Sequence, residues 1–153
     1  MQPYLLSSRK RLRHWKTFRC SLDETLTDEE HLFTTMKYWQ QYPLIDRYID
    51  SYAPELWPTP WELLYENQFC RSSLAYMMEQ TLLKSDDGRW KLDRLSLKYI
   101  DDKRLSDEFI ILVVDNKYVI NYDINQVIKF DKLIKMCHIK HEYLISNNIH
   151  IIV

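Results

Sequence analysis

Apolar positions in this chain follow two periods, and the change falls near residue 88. Before it, Leu32, Phe33, Met36, Tyr38 and Trp39 recur at mostly helical spacing up to Pro43. Thr27 followed by Glu30 has capping-box spacing, so a helix is predicted from there. Pro43, Pro54, Pro58 and Pro60, with Tyr48, Tyr52 and Trp57 between them, predict irregular backbone held down by aromatic packing. Thr59 as cap, Pro60 in the first turn and Glu62 close behind predict a short helix through Tyr65. Leu74, Ala75, Met77, Met78 and Leu82 then predict a central buried helix from about Asn67 to Lys84, closed by Ser85-Asp86-Asp87-Gly88.

Beyond Gly88 the period becomes two. Trp90, Leu92, Leu95, Leu97 and Tyr99 alternate, Phe109 to Val114 is a continuous apolar run, and Tyr118, Ile120 and Tyr122 alternate after the turn Asp115-Asn116-Lys117. Val127 to Phe130, His138 to Ile145 and Ile149 to Val153 continue the strands, the last two joined across Ser146-Asn147-Asn148. Asp86-Asp87 and Asp101-Asp102 read as solvated turn residues. Helices first and an antiparallel meander second is the order of an α+β fold: N-terminal helices, one of them central and buried, packed on a C-terminal sheet.

Composition narrows the chemistry. The chain has 153 residues, 46% of them hydrophobic, enough for the core of one domain. Gly88 is its one glycine, which excludes the glycine-rich phosphate cradles of P-loop and dinucleotide-binding proteins. The apolar run Phe109 to Val114 is far short of the roughly 20 residues of a membrane helix, so no membrane partner is expected. Cys20, Cys70 and Cys137 form no CxxC pair, and the histidines show no metal-binding motif, so neither a metal nor another cofactor is expected.

The net charge of −1 conceals a basic start. Arg9, Lys10, Arg11, Arg13, Lys16 and Arg19 fall in residues 1–20 without one acid, while residues 21–30 carry five acids and no base. Residues 1–20 are expected to be a basic arm ahead of a single domain at 21–153. Its partner would be the acidic segment Asp23 to Glu30, another protein of an assembly, or nucleic acid contacted through residues 9–19. The charges follow the short apolar stretch Tyr4-Leu5-Leu6 rather than precede a long one, so secretion by a signal peptide is not expected.

Cys70 is the candidate nucleophile, because it opens the central helix beside Arg71, and both features favour a thiolate. The stretch from Trp57 through Thr59-Pro60-Trp61-Glu62 to Gln68-Phe69-Cys70-Arg71-Ser72 resembles the segment of transglutaminase-like cysteine peptidases in which a Thr-Pro-x-Glu helix leads to the catalytic cysteine. In that family the core continues in a hairpin carrying the base histidine and then an aspartate. The resemblance, over about residues 57–130, implies a papain/transglutaminase-like core with Phe109 at the histidine position and Asn121 at the aspartate position. It therefore implies a frame without its proton acceptor, since the triad works as a unit. His138 or His141 could supply a rearranged base for an active amidase or peptidase. The same stretch resembles proteins of large tailed bacteriophages, which implies a structural or binding component of a virion or its assembly, in the host cytoplasm or the particle.

Overall fold

The computed structural model describes residues 2–45 and 48–153. Five helices, α1 (Ser8–Ser21), α2 (Asp28–Gln40), α3 (Pro60–Glu66), α4 (Arg71–Leu83) and α5 (Phe130–Leu133), accompany six strands. These are β1 (Leu95–Asp102), β2 (Asp107–Val114), β3 (Tyr118–Ile120), β4 (Ile128–Lys129), β5 (Cys137–Ser146) and β6 (Ile149–Ile152), in one antiparallel sheet of order β4-β3-β2-β1-β5-β6. The predicted α+β order is what the chain adopts. The meander is interrupted once: β5 does not extend the β4 edge but returns to pair with β1, Leu97 opposite Tyr143 and Tyr99 opposite His141.

The capping boxes form as the spacing requires. Thr27 Oγ1 accepts from the Glu30 amide while Glu30 Oε1 accepts from the Thr27 amide, both at 3.1 Å. Thr59 and Glu62 repeat the exchange at 3.2 Å. α3 ends at Asn67, which takes the left-handed conformation with φ 58°. That break makes the central helix begin at Arg71 rather than Asn67, with Cys70 as its N-cap. Two other boundaries move. Leu92–Arg94 is a 3-10 turn leading into β1, and Phe130 begins α5 rather than ending a strand.

α4 is buried nearly all round between α2 and the sheet. On its face of the sheet lie Leu95, Leu97, Tyr99, Ile110, Leu112, Val114 and Ile120; the opposite face is closed by a second cluster of Ile100, Phe109, Ile111, Val113, Val119, Ile128 and Leu133. Strand alternation sorts the two sets. Thr81 in α4 joins three helices: its Oγ1 accepts from the indole N–H of Trp15 in α1 and of Trp39 in α2, each at 2.9 Å, and donates to Met77 O at 2.6 Å.

The expected arm is instead α1, a helix of the domain. Arg11 and Trp15, one turn apart, bury their side chains, Trp15 completely. The Arg11 guanidinium donates to Leu64 O at 2.8 Å, Tyr65 O at 3.1 Å and Leu6 O, so it tethers the end of α3 and is not a free cation. Burial without an acid lowers its pKa from the arginine norm. Arg19 lies over the Trp15 ring, 4.2 Å from its centroid, and nearer the rim of Trp61. Arg9, Lys10, Arg13 and Lys16 remain exposed.

One residue of each acidic pair departs from the solvated-turn reading, while Asp86 is an exposed turn residue as expected. Asp102 ends β1, is fully buried, and accepts from the Tyr122 hydroxyl at 2.5 Å and the Arg104 amide at 3.1 Å. Asp87 accepts from Arg89 Nε at 2.7 Å, within a network in which Arg89 and Arg94 share Asp28 and Arg94 also holds Asp115. These pairs fasten the β2–β3 turn and the Leu92–Arg94 turn to the start of α2. No helix among the described residues is long and apolar enough to cross a membrane.

Candidate active site at the N-terminus of α4

Cys70 is half-buried and caps α4 with an extended backbone. Its amide donates to Ser73 Oγ at 2.9 Å, and Ser73 Oγ donates back to Cys70 O at 2.9 Å. Phe69, one residue earlier, is clamped between backbone and rings: its carbonyl accepts from the Ile45 amide at 3.0 Å, and Trp39 and Tyr42 pack on its ring. Ser72 Oγ accepts from the Ile110 amide at 3.0 Å, locking the first turn of α4 onto β2. The helix start is thus held by short polar side chains just beyond the thiol.

Phe109 and Asn121, the positions the family resemblance singles out, both converge on this turn, through Arg71. The Arg71 guanidinium carbon stands 3.5 Å above the centroid of Phe109. The same group donates to Tyr122 O at 2.7 Å and reaches Asp107 Oδ2 at 3.5 Å. Desolvation lowers its pKa, opposed chiefly by Asp107. Asn121 is buried, and its Nδ2 donates to Arg71 O at 2.9 Å and to Ile110 O at 2.8 Å. Its φ of 73° is one that asparagine tolerates better than most side chains.

The Phe109 ring belongs to the cluster on the sheet face opposite α4 and meets the helix start through Arg71. Asn121 Nδ2 donates to two carbonyl oxygens, while its Oδ1 remains an acceptor. His141 Nε2 is buried and has no hydrogen-bond partner among the described residues. His141 stacks on Tyr99 with centroids 5.8 Å apart and takes Tyr52 edge-on at 4.8 Å. His138 is exposed on β5. His150 bonds Glu79 at 2.8 Å, and His31 lies between Asp23 O and the Trp90 indole. Among the described residues no hydrogen bond or ring contact joins a histidine to Cys70.

Beside the turn is a cavity of about 280 Å³ lined by Gln40, Tyr42, Leu74, Asn121, Tyr122 and Ile124, with Arg71 in its wall. Burial, reinforced by Asp102, pushes the Tyr122 hydroxyl up to about 12, so it stays a neutral donor. Of the predicted residues, Phe109 and Asn121 each contact Arg71, the neighbour of Cys70, Phe109 from the sheet face opposite α4; Arg9, Lys10, Arg13 and Lys16 lie apart on α1. The sequence does not single out Arg71, Ser72 and Ser73 for the roles they play. The Ser at helix position three is their legible signal, since it matches the reciprocal cap geometry.

No protein-family model matches the sequence, and no curated protein does. Solved structures do. The chain is similar to Legionella pneumophila LapG at a TM-score of 0.73 and 15% identity, over 91% of this chain and 77% of that one. The calcium-bound form of the same protein gives 0.72 at 16% identity, over 92% and 78%, and its EGTA-treated form 0.70 at 15%, over 88% and 73%. No group of three or more His, Cys, Asp or Glu side chains that could hold a metal ion exists among the described residues, so nothing here is assigned to calcium. At this identity the likeness is one of architecture: the five helices and six-stranded antiparallel sheet share the transglutaminase-like α+β core of LapG.

Proposed function

We propose that this chain is a transglutaminase-like domain without thiol catalysis, acting as a binding or structural component of a protein assembly. The observation that carries the reading is the use of Asn121 Nδ2 as a donor to Arg71 O and Ile110 O, which commits this side chain to holding the helix start. Phe109 beneath the Arg71 guanidinium supports it. The large exposed aromatics Tyr48, Tyr52, Trp61 and Tyr65 supply contact area of the kind protein interfaces use. The resemblance of the Trp57-to-Glu62 stretch to proteins of large tailed bacteriophages supports a setting in a virus particle or its assembly.

Alkylation of Cys70 by iodoacetamide at neutral pH, followed on the peptide that carries it, tests the proposal. The expected rate is no higher than that of free cysteine. A rate more than about tenfold higher, abolished by substituting His138 or His141, would establish an activated thiol and overturn the reading.

A further inference from the structure

Helix α1 carries more positive charge than the fold uses. Every described arginine beyond it is engaged by an acid: Arg71 with Asp107, Arg89 with Asp87 and Asp28, Arg94 with Asp28 and Asp115, Arg104 with Asp102. On α1, Arg11 and Arg19 are absorbed by carbonyl groups and rings. Arg9, Lys10, Arg13 and Lys16 are exposed, and their side chains make no ion pair or hydrogen bond among the described residues. Arg9, Arg13 and Lys16 follow i, i+4, i+7 spacing and share one stripe, with Lys10 beside it.

This charge is also placed against the helix's own field. The first turn of α1 holds Arg9 and Lys10 and no acid, at the end where the aligned peptide dipoles are positive. Ser7 Oγ caps this end by accepting from the Lys10 amide. Of the acids near by, Glu62 accepts from the Thr59 amide, Glu66 is exposed next to Tyr65, and Asp86 sits past Arg19 at the far end of the helix.

α3 packs on α1 through residues outside the stripe: Trp61 meets Trp15, ring centroids 5.0 Å apart, and Arg11 bonds Leu64 O and Tyr65 O. Trp61 and Tyr65, one turn apart, remain 45% and 70% exposed. Two exposed rings beside a run of unpaired cations form a stacking platform next to a phosphate track, which is how single strands are held without sequence readout.

We infer that the α1–α3 face binds single-stranded nucleic acid, with Arg9, Arg13 and Lys16 on its phosphates, Lys10 beside them, and Tyr65 and Trp61 against bases. Arg9 to Lys16 spans about 10 Å at 1.5 Å per residue. That is room for about three phosphates at the 3.4 Å per nucleotide of a B-form strand. The inference is independent of the proposed lack of catalysis, because no residue of the stripe lies at α4.

Fluorescence anisotropy of the full chain with labelled oligothymidylate of about 20 nucleotides, longer than the ~4–16 that one small domain covers, tests it. Log affinity should fall linearly with log salt between about 50 and 200 mM, and the triple variant Arg9→Gln/Arg13→Gln/Lys16→Gln should flatten that slope by about 2. Tyr65→Ala should weaken binding at least about fivefold at unchanged slope. Its backbone carbonyl, and so the Arg11 tether, is retained. Oligouridylate of the same length reports whether ribose is preferred. Absence of binding at the lowest salt, or binding that the triple variant leaves unchanged, overturns the inference. So does tighter binding of duplex with no Tyr65→Ala effect, or equal competition by polyglutamate, which would assign the stripe to an acidic protein.

Discussion

Asn121→Asp replaces a donor with an acceptor at the helix start, and the geometry makes it damaging. The amide donates to Arg71 O at 2.9 Å and Ile110 O at 2.8 Å. A carboxylate there would present oxygen to oxygen twice. It can escape by keeping a proton, and holding one at pH 7 against an ordinary pKa of about 3.9 costs about 4 kcal/mol. The neutral acid then makes one of the two bonds, and losing the other adds about 1 kcal/mol. If local relaxation relieves part of the repulsion, the two lost bonds still set a floor of about 2 kcal/mol. The expected cost is therefore about 2–5 kcal/mol at pH 7, a fall in Tm of roughly 5–20 °C at this chain length. Aspartate accepts a positive φ nearly as readily as asparagine, so the backbone adds little. The pH dependence fixes the cause. The folded-state pKa of the introduced carboxyl would be raised above its unfolded value, so the folded protein holds the additional proton and the deficit grows as pH rises. Urea unfolding should give a deficit of about 1 kcal/mol near pH 4 and the full value at pH 7. A variant within about 0.5 kcal/mol of the parent at pH 7, or one more impaired at pH 4 than at pH 7, would refute the assignment of Asn121 as a structural donor.

Thr81→Val is nearly isosteric but leaves the buried indole N–H groups of Trp15 and Trp39 without an acceptor, for about 2–4 kcal/mol, while Thr81→Ser should recover most of it; equal stability of the Val and Ser variants in urea titrations would contradict the bonding. The Arg94 hydrogen bonds hold the Asp115 carboxyl below the usual carboxylate range. Its contribution is complete above the unfolded pKa of about 4 and is lost as pH falls through the lower folded value. Arg94→Gln should accordingly cost more stability at pH 7 than at pH 3, and equal costs at the two pH values would remove the pair from the account of acid unfolding.

Much of the frame could be read from residues alone, because its signals are local. Thr27 with Glu30, and Thr59 with Pro60 and Glu62, announce helix starts through chemistry that lies within one turn. The alternating runs around Asp115-Asn116-Lys117 announce a hairpin for the same reason. Helix α1 is hidden by its own surface: six bases in one stretch outweigh Arg11 and Trp15, the pair one turn apart that packs inward. An arginine is counted as polar whether or not three carbonyl oxygens await it. Asp102 is hidden likewise, since its partner Tyr122 lies on another segment. The return of β5 to β1 depends on which edge of the sheet is free, a property no local pattern carries. At the candidate site the sequence shows which residue types are missing, whereas the donor role of Asn121 and the stacking of Arg71 on Phe109 depend on distances across the fold.

The guanidinium above Phe109 sets what any other side chain at that position would meet. An imidazole introduced alone at that position would lie under a fixed cation, which disfavours the protonated form that an activated cysteine needs as its counter-ion. Exchanging Asn121 alone loosens the helix start, and removing Arg71 alone abandons its bond to Tyr122 O. Arg71 thus links Phe109 to Asn121, so a change at any one of the three is felt at the start of α4.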